Sequence, residues 1–245
     1  MILKNYSITL PSYSIGDNVY SKIGEICEPY GKKVICIGGK TAISKVRDLI
    51  INECNGTSLE ILDFLWYGGD ATYENVNTLK ENELVKKADI IFGIGGGKAL
   101  DTAKALAYIT NKEIFTFPTI ASNCAGTTAV SIMYNADGSF KEPFFFTAPA
   151  RHCFIYTPVI AKSPAKYMWA GIGDTYAKYF EAEMSSRGED LVHYHALGVT
   201  TSQMCLTPLL KYGKKSLDDF KSGTASFEVE QVVLAIVVTT GIASI

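Results

Sequence analysis

No stretch of this 245-residue sequence stays apolar long enough to span a bilayer; a charge, a glycine or a proline interrupts every run first. The opening Met1-Ile2-Leu3-Lys4-Asn5-Tyr6 lacks the charged-then-apolar layout of a secretory signal. A cytoplasmic protein without membrane attachment is therefore expected. An excess of charge of one sign is missing too. The 23 Lys and Arg nearly balance the 25 Asp and Glu, for a formal net charge of −2, so no broad basic face for nucleic acid or anionic lipid is expected. The six cysteines, Cys27, Cys36, Cys54, Cys124, Cys153 and Cys205, are widely and irregularly spaced with no CxxC pair. That argues against a disulfide framework or a cysteine–zinc site and for reduced core thiols. Histidine is scarce: His152, His193 and His195 are all there is. His193 and His195, two apart on an expected helix, point to different faces and make a poor chelating pair.

What is present is ordinary for a globular protein with a real core, 47% apolar and 20% charged. The first half alternates strand-like and helix-like segments. Strands are expected at Val34–Ile37, Leu59–Leu65, Asp89–Ile94 and Ile114–Pro118. Helices are expected at Thr41–Ile51, where Ile43, Val46, Leu49 and Ile50 recur at helical spacing, and as one charged surface helix over Tyr73–Lys87. Such repeated units imply a mostly parallel sheet covered by helices on both faces. Near residue 160 the pattern turns long and helical, at Tyr167–Met184, about His193–Tyr212, and Glu228 to the end. We divide the chain there, into an α/β domain over 1–160 and an all-α domain over 161–245. The sequence stops inside an apolar helical stripe, Val229–Ile245, with no closing cap. A further C-terminal portion of the natural protein is expected from that.

The most informative stretch is Ile90-Ile91-Phe92-Gly93-Ile94-Gly95-Gly96-Gly97-Lys98, a buried strand running through glycines directly into a helix. Glycines let backbone N–H groups approach a diphosphate closely, the helix N-terminus adds partial positive charge, and Lys98 offers a full one. The plainer reading is a tight strand-to-helix turn, but such a turn needs one glycine, and here four fall in five positions. The run is neither a Walker loop nor a strict GxGxxG.

The stretch Gly93–Ala107 resembles the glycerol dehydrogenase branch of the iron-containing alcohol dehydrogenase superfamily. So do Gly68-Gly69-Asp70, the segment Phe117-Pro118-Thr119-Ile120-Ala121-Ser122-Asn123-Cys124-Ala125, the hairpin segments Ser131–Asn135 and Gly138–Phe140, and Ala170-Gly171-Ile172-Gly173-Asp174. The resemblance holds in order and spacing over about residues 30–185. It implies an N-terminal dinucleotide-binding domain and a C-terminal helical domain, of dehydroquinate synthase-like architecture, with the site in the cleft between them. It implies that Gly95, Gly96, Gly97 and Lys98 contact the pyrophosphate of NAD(P), and that Thr119, Ser122, Thr128, Val130 and Tyr134 line the cofactor. Thr119 and Ser122 would otherwise read as ordinary loop hydroxyls.

By the same resemblance Asp174 is the first protein ligand of a divalent metal, zinc rather than iron, and acts in catalysis through it. The alternative for Gly173-Asp174-Thr175 is a helix N-cap. The family's two histidine ligands are expected beyond Ile245. Two departures bear on substrate and cofactor. Where glycerol dehydrogenases carry an aspartate that holds polyol hydroxyls, this sequence has Cys124, as in hydroxycarboxylate dehydrogenase relatives. A 2-hydroxy or 2-oxo acid substrate would avoid repulsion from a carboxylate there. No histidine is placed to make Cys124 a nucleophile. After the strand Val34–Ile37 comes Gly38-Gly39-Lys40-Thr41, with no acidic residue for the ribose hydroxyls, so NADP(H) is admitted beside NAD(H) unless Lys40 is simply solvated.

The expectation is a metal-dependent NAD(P) oxidoreductase of small alcohols, polyols or hydroxy acids, working as a homo-oligomer. The alternatives are a catalytically silent nucleotide-binding module and a sugar-phosphate lyase of the dehydroquinate synthase type. The lyase would need a basic cluster that the sequence does not show.

Overall fold

The computed structural model describes residues 7–244, so the opening Met1–Tyr6 and the final Ile245 of the expected terminal helix lie outside the described residues. In chain order the elements are β1 (Tyr13–Gly16), α1 (Ile23–Cys27), β2 (Lys33–Gly38), α2 (Lys40–Cys54), β3 (Glu60–Trp66), α3 (Tyr73–Lys80), α4 (Glu83–Lys87), β4 (Ile90–Gly95) and α5 (Gly97–Thr110). Then follow β5 (Glu113–Pro118), β6 (Val130–Tyr134), β7 (Phe140–Phe145), β8 (His152–Tyr156), α6 (Thr157–Ala161), α7 (Ala165–Ser185), α8 (His193–Lys221), α9 (Phe227–Leu234) and α10 (Thr240–Ala243).

Six strands form one parallel sheet in the order β1-β8-β5-β4-β2-β3, while β6 and β7 pair as a separate antiparallel hairpin. The alternation of side chains along each strand builds two cores. Val34, Cys36, Ile90, Phe92 and Ile94 point to one face with Phe115, Phe117 and Phe154. Ile35, Ile37 and Ile91 point to the other, against Ala103, Leu106, Val76 and Leu79. A third core binds the helices to the sheet: Cys153 and Ile155 of β8 pack with Met168, Leu209, Phe220, Val232, Val233 and Ile236. This is the expected α/β sheet followed by an all-helical region. Among the described residues no helix is long and apolar enough to cross a membrane.

The element reading needs three corrections. The single helix expected over Tyr73–Lys87 is two, because the Asn82 side chain accepts hydrogen bonds from the amides of Leu84 (2.8 Å) and Val85 (3.4 Å) and restarts the helix there. Helix α8 runs well past Tyr212 to Lys221, through Pro208. The terminal apolar stripe is α9, a π-helical turn over Ala235–Thr239, and α10. The Thr240 hydroxyl donates to the Ala235 carbonyl (3.0 Å) and the Thr127 hydroxyl to the Val237 carbonyl, so side chains satisfy carbonyls around the widened turn.

Strands β1 and β8 had no clear period in the sequence. They are held together through His152, whose ring nitrogens lie 2.7 Å from the Ser12 hydroxyl and 3.0 Å from that of Ser14. Burial, with a smaller contribution from Lys22, pushes the His152 pKa down to about 4. The unfolded chain therefore takes up this proton more readily than the folded one. Stability from this residue is complete above the ordinary histidine value of 6.5 and is lost as pH falls toward about 4. The substitution His152→Gln should flatten the decline of the urea midpoint across that window; an unchanged slope would contradict the assignment.

Candidate functional site

The topology places a switch point beside the glycine run. From β2 the chain moves outward through α2 to β3, whereas from β4 it moves the other way through α5 to β5. Strands β2 and β4 are neighbours, so the crevice between their C-terminal ends is where an open α/β sheet presents its ligand. The Gly39 amide donates to the Ile94 carbonyl (3.3 Å) and the Thr119 amide to the Gly95 carbonyl (3.1 Å), which ties the exits of β2 and β5 to that of β4.

Two features fix the backbone at this exit. Gly95 has φ +142°, a conformation L side chains rarely adopt, and a Cβ there would meet the Ala99 Cβ at 3.0 Å. A Cβ on Gly97 would fall 2.5 Å from the Asn123 side-chain nitrogen. Helix α5 then begins with Gly96 as its cap residue and no side-chain cap. The amides of Ala99 and Leu100 bond to the Gly96 carbonyl (3.0 and 3.1 Å), and those of Gly97 and Lys98 are left for something else to satisfy.

A cavity of about 1010 Å³ opens over this exit. Gly95, Gly96, Gly97, Lys98, Thr119, Ser122 and Tyr134 all line it, together with Asn123, Trp66 and Tyr167, which the sequence did not single out. It runs along the C-terminal ends of the strands, from Tyr156 at the end of β8 to Trp66 at the end of β3. Four lysines far apart in sequence, Lys40, Lys45, Lys98 and Lys162, reach it. The cationic cluster that the linear sequence hid is thus assembled by folding. Lys98 is already engaged: its Nζ lies 2.6 Å from an Asp70 carboxylate oxygen and 4.9 Å from the centre of the Tyr134 ring. The Asp70 hydrogen bond raises its pKa, so the ammonium persists. The Tyr134 amide donates to the Ala71 carbonyl (2.9 Å), which joins β6 to the same turn.

Thr128 and Val130 do not line this cavity. They meet a buried ion pair instead. Helix α5 is buried from Ala99 to Ala107 because the sheet covers one side and α3 and β6 the other. Asp101 and Lys104 are enclosed with it, 3.1 Å apart. Lys104 Nζ also donates to the carbonyls of Val130 (2.5 Å) and Thr128 (3.3 Å). Burial pushes the Asp101 carboxyl above its ordinary range, with Lys104 opposing the shift. The signal available beforehand was two opposite charges three residues apart in an otherwise apolar helix.

Cys124 and Asp174 lie outside the cavity too. Cys124 is half-buried, and its thiol is pushed up to about 11 by burial and then by the Asp174 charge, so it is neutral at pH 7 and not a nucleophile. Asp174 is exposed, its carboxyl raised by partial desolvation against the opposing charge of Lys178. It sits in the middle of α7, so the helix-cap alternative is wrong: the preceding glycine does not start a helix. Among the described residues no group of three or more His, Cys, Asp or Glu is placed to hold a metal. His193 and His195 are exposed at the start of α8.

The glycine and the ion pair are each testable by urea denaturation. Gly95→Ala forces a side chain into the left-handed region and should cost about 1–3 kcal/mol; undiminished stability would contradict the backbone assignment. Lys104→Met leaves Asp101 buried without a partner and should cost about 3–5 kcal/mol, a loss that Asp101→Leu combined with Lys104→Met partly restores. A double variant less stable than the single one would count against the pairing.

The iron-containing alcohol dehydrogenase family model matches residues 11–153. The chain is 36% identical to the glycerol dehydrogenase of Thermotoga maritima over 169 residues, which is 66% of this chain and 46% of that protein. It is 33% identical to hydroxycarboxylate dehydrogenase A of Escherichia coli over 153 residues, 62% of this chain and 42% of that protein. The crystal structure of glycerol dehydrogenase from Schizosaccharomyces pombe superposes with a TM-score of 0.88 at 24% identity, over 98% of this chain and 62% of that one. The chain thus spans roughly half of these curated relatives. With the family model covering more than half of the residues, and the same sheet and helical region behind it, the chain belongs to the iron-containing alcohol dehydrogenase family.

Proposed function

We propose that this chain is the nucleotide-binding part of an NAD(P)-dependent oxidoreductase that moves a hydride between its cofactor and a small polyol or 2-hydroxy acid. One observation carries the reading: the uncapped start of α5, reached through Gly95, opens at the sheet's switch point into a cavity large enough for a dinucleotide. The residues present fit such a group. Gly95, Gly96 and Gly97 would cradle the pyrophosphate with backbone amides and Lys98 would add charge, while Thr119, Ser122 and Tyr134 would line the remainder. The nicotinamide, when bound, supplies the hydride acceptor or donor. The protein's share is to hold, orient and exclude water. Thr128 and Val130 contribute at one remove, by fixing the approach to β6 and so the position of Tyr134.

On the substrate side, Cys124 and Asp174 lie within electrostatic reach of each other, which brings the two residues assigned to substrate and metal to one place. A neutral thiol is a poor partner for polyol hydroxyls and does not repel a carboxylate, which favours the hydroxy acid over glycerol. Asp174 is the residue of this chain that we assign toward a divalent metal, zinc in preference to iron. It does not make a site alone, since a catalytic zinc takes three protein ligands.

The absence of a three-ligand group among the described residues favours one second reading, a nucleotide-binding module without turnover. Glycerol, butanediols and 2-oxo acids assayed on the whole protein with NADH and NADPH, with zinc and iron supplied separately, decide between them. The oxidoreductase reading expects turnover of at least one substrate that a chelator abolishes, whereas nucleotide binding with no turnover on any of them supports the silent module. Elemental analysis of the 245-residue chain after incubation with zinc should give well under one ion per chain; full occupancy would overturn the ligand assignment.

A further inference from the structure

The end of the cavity over β2 and β3 differs from its centre. It is lined by Lys40, Thr41, Lys45, Leu49 and Trp66, and no carboxylate is among the residues lining that end. Among the described residues Asp101 is the one carboxylate in the cavity lining, and it is paired with Lys104. Thr41, Lys45 and Leu49 follow at single-turn spacing on one face of α2, so the helix delivers them together. Trp66 closes β3 beside them with half its surface exposed. Lys40 Nζ lies 4.7 Å from the centre of the Trp66 ring, and neither Lys40 nor Lys45 has an ion-pair partner among the described residues. The indole therefore holds one ammonium over the cavity without neutralising it.

We infer that this end is a site for the 2′-phosphate of an adenosine, making NADP(H) the preferred cofactor; the inference rests on the reading that the glycine cradle holds a dinucleotide. Two ammonium groups without counter-ions suit a phosphate dianion. The Trp66 face and Leu49 offer an apolar surface for the adenine ring. The position one residue beyond Gly39 decides the matter electrostatically. A carboxylate there would accept the ribose hydroxyls and repel a phosphate, and Lys40 does the reverse. Because Gly39 bonds to Ile94 at the exit of β4, this phosphate site and the diphosphate cradle share one crevice. A single nucleotide can meet both.

Isothermal titration of the 245-residue chain with NADPH, NADH, adenosine 2′,5′-bisphosphate and ADP tests the inference. NADPH should bind at least about tenfold more tightly than NADH, and the 2′,5′-bisphosphate more tightly than ADP. The exposed pair Lys40→Ala and Lys45→Ala together should weaken NADPH binding more than NADH binding and bring the two dinucleotides to the same affinity. Circular dichroism of that variant checks that the fold is kept. NADH binding equal to or tighter than NADPH, or a preference that survives the double substitution, overturns the phosphate site while leaving the dinucleotide cradle standing. Failure of both dinucleotides to bind overturns the cradle and the phosphate site together.

Discussion

The proposed nucleotide site depends above all on how β4 hands over to α5. An apolar strand carries no charge to the crevice, and the first turn of α5 has no side chain to cap it. The left-handed backbone at Gly95 and the crowding at Gly97 leave room only for hydrogen there, so the surface offered to a ligand is peptide backbone. The carbonyls of Ile94 and Gly95 anchor the neighbouring strand exits. The amides of the next turn then become the open donors of the crevice.

The rest of the architecture holds that handover in place. The Asp101–Lys104 pair sits one turn along α5 and grips the carbonyls of Thr128 and Val130. Through them α5 is connected to the hairpin that carries Tyr134. Asp70 completes the circuit from the other side by holding Lys98, while the Ala71 carbonyl takes the Tyr134 amide. A buried pair of this kind is weak evidence for stability, but its hydrogen bonds tie the helix directly to the approach to the hairpin. The helical region closes the opposite wall. Gly171 of α7 lies against the Ala121 carbonyl and Gly241 of α10 against Thr127, so the segment that follows β5 is clamped between two elements.

Much of this was legible in the sequence, for identifiable reasons. Strands β2, β4 and β5 are buried on both faces and read as continuous apolar runs, and α2 shows its period because one face meets solvent. The glycine run was legible because four glycines in five positions exceed what a turn needs. Strands β1 and β8 were not, because the sheet edge at β1 is short and half-exposed and because β8 spends its side chains on two different cores. The break at Asn82 was hidden because a single side-chain oxygen, not a proline or glycine, stops the helix. At the candidate site, local pattern found the glycine turn but not the charges around it. Lys40, Lys98 and Lys162 come from three different connections, and only the sheet order brings them to one cavity. At Asp174 the cap preference of aspartate misleads, because the residue lies mid-helix, inside the helix expected over Tyr167–Met184.

The central claim is that backbone amides at the start of α5 are the anchoring contacts for a dinucleotide. Amide-resolved NMR of the chain titrated with NADPH measures it most directly. The account predicts that the largest shift changes fall on the amides of Gly95, Gly96, Gly97 and Lys98, saturating together with Thr119 and Tyr134. Saturable binding that leaves those amides unmoved, with the changes gathered elsewhere, would contradict it.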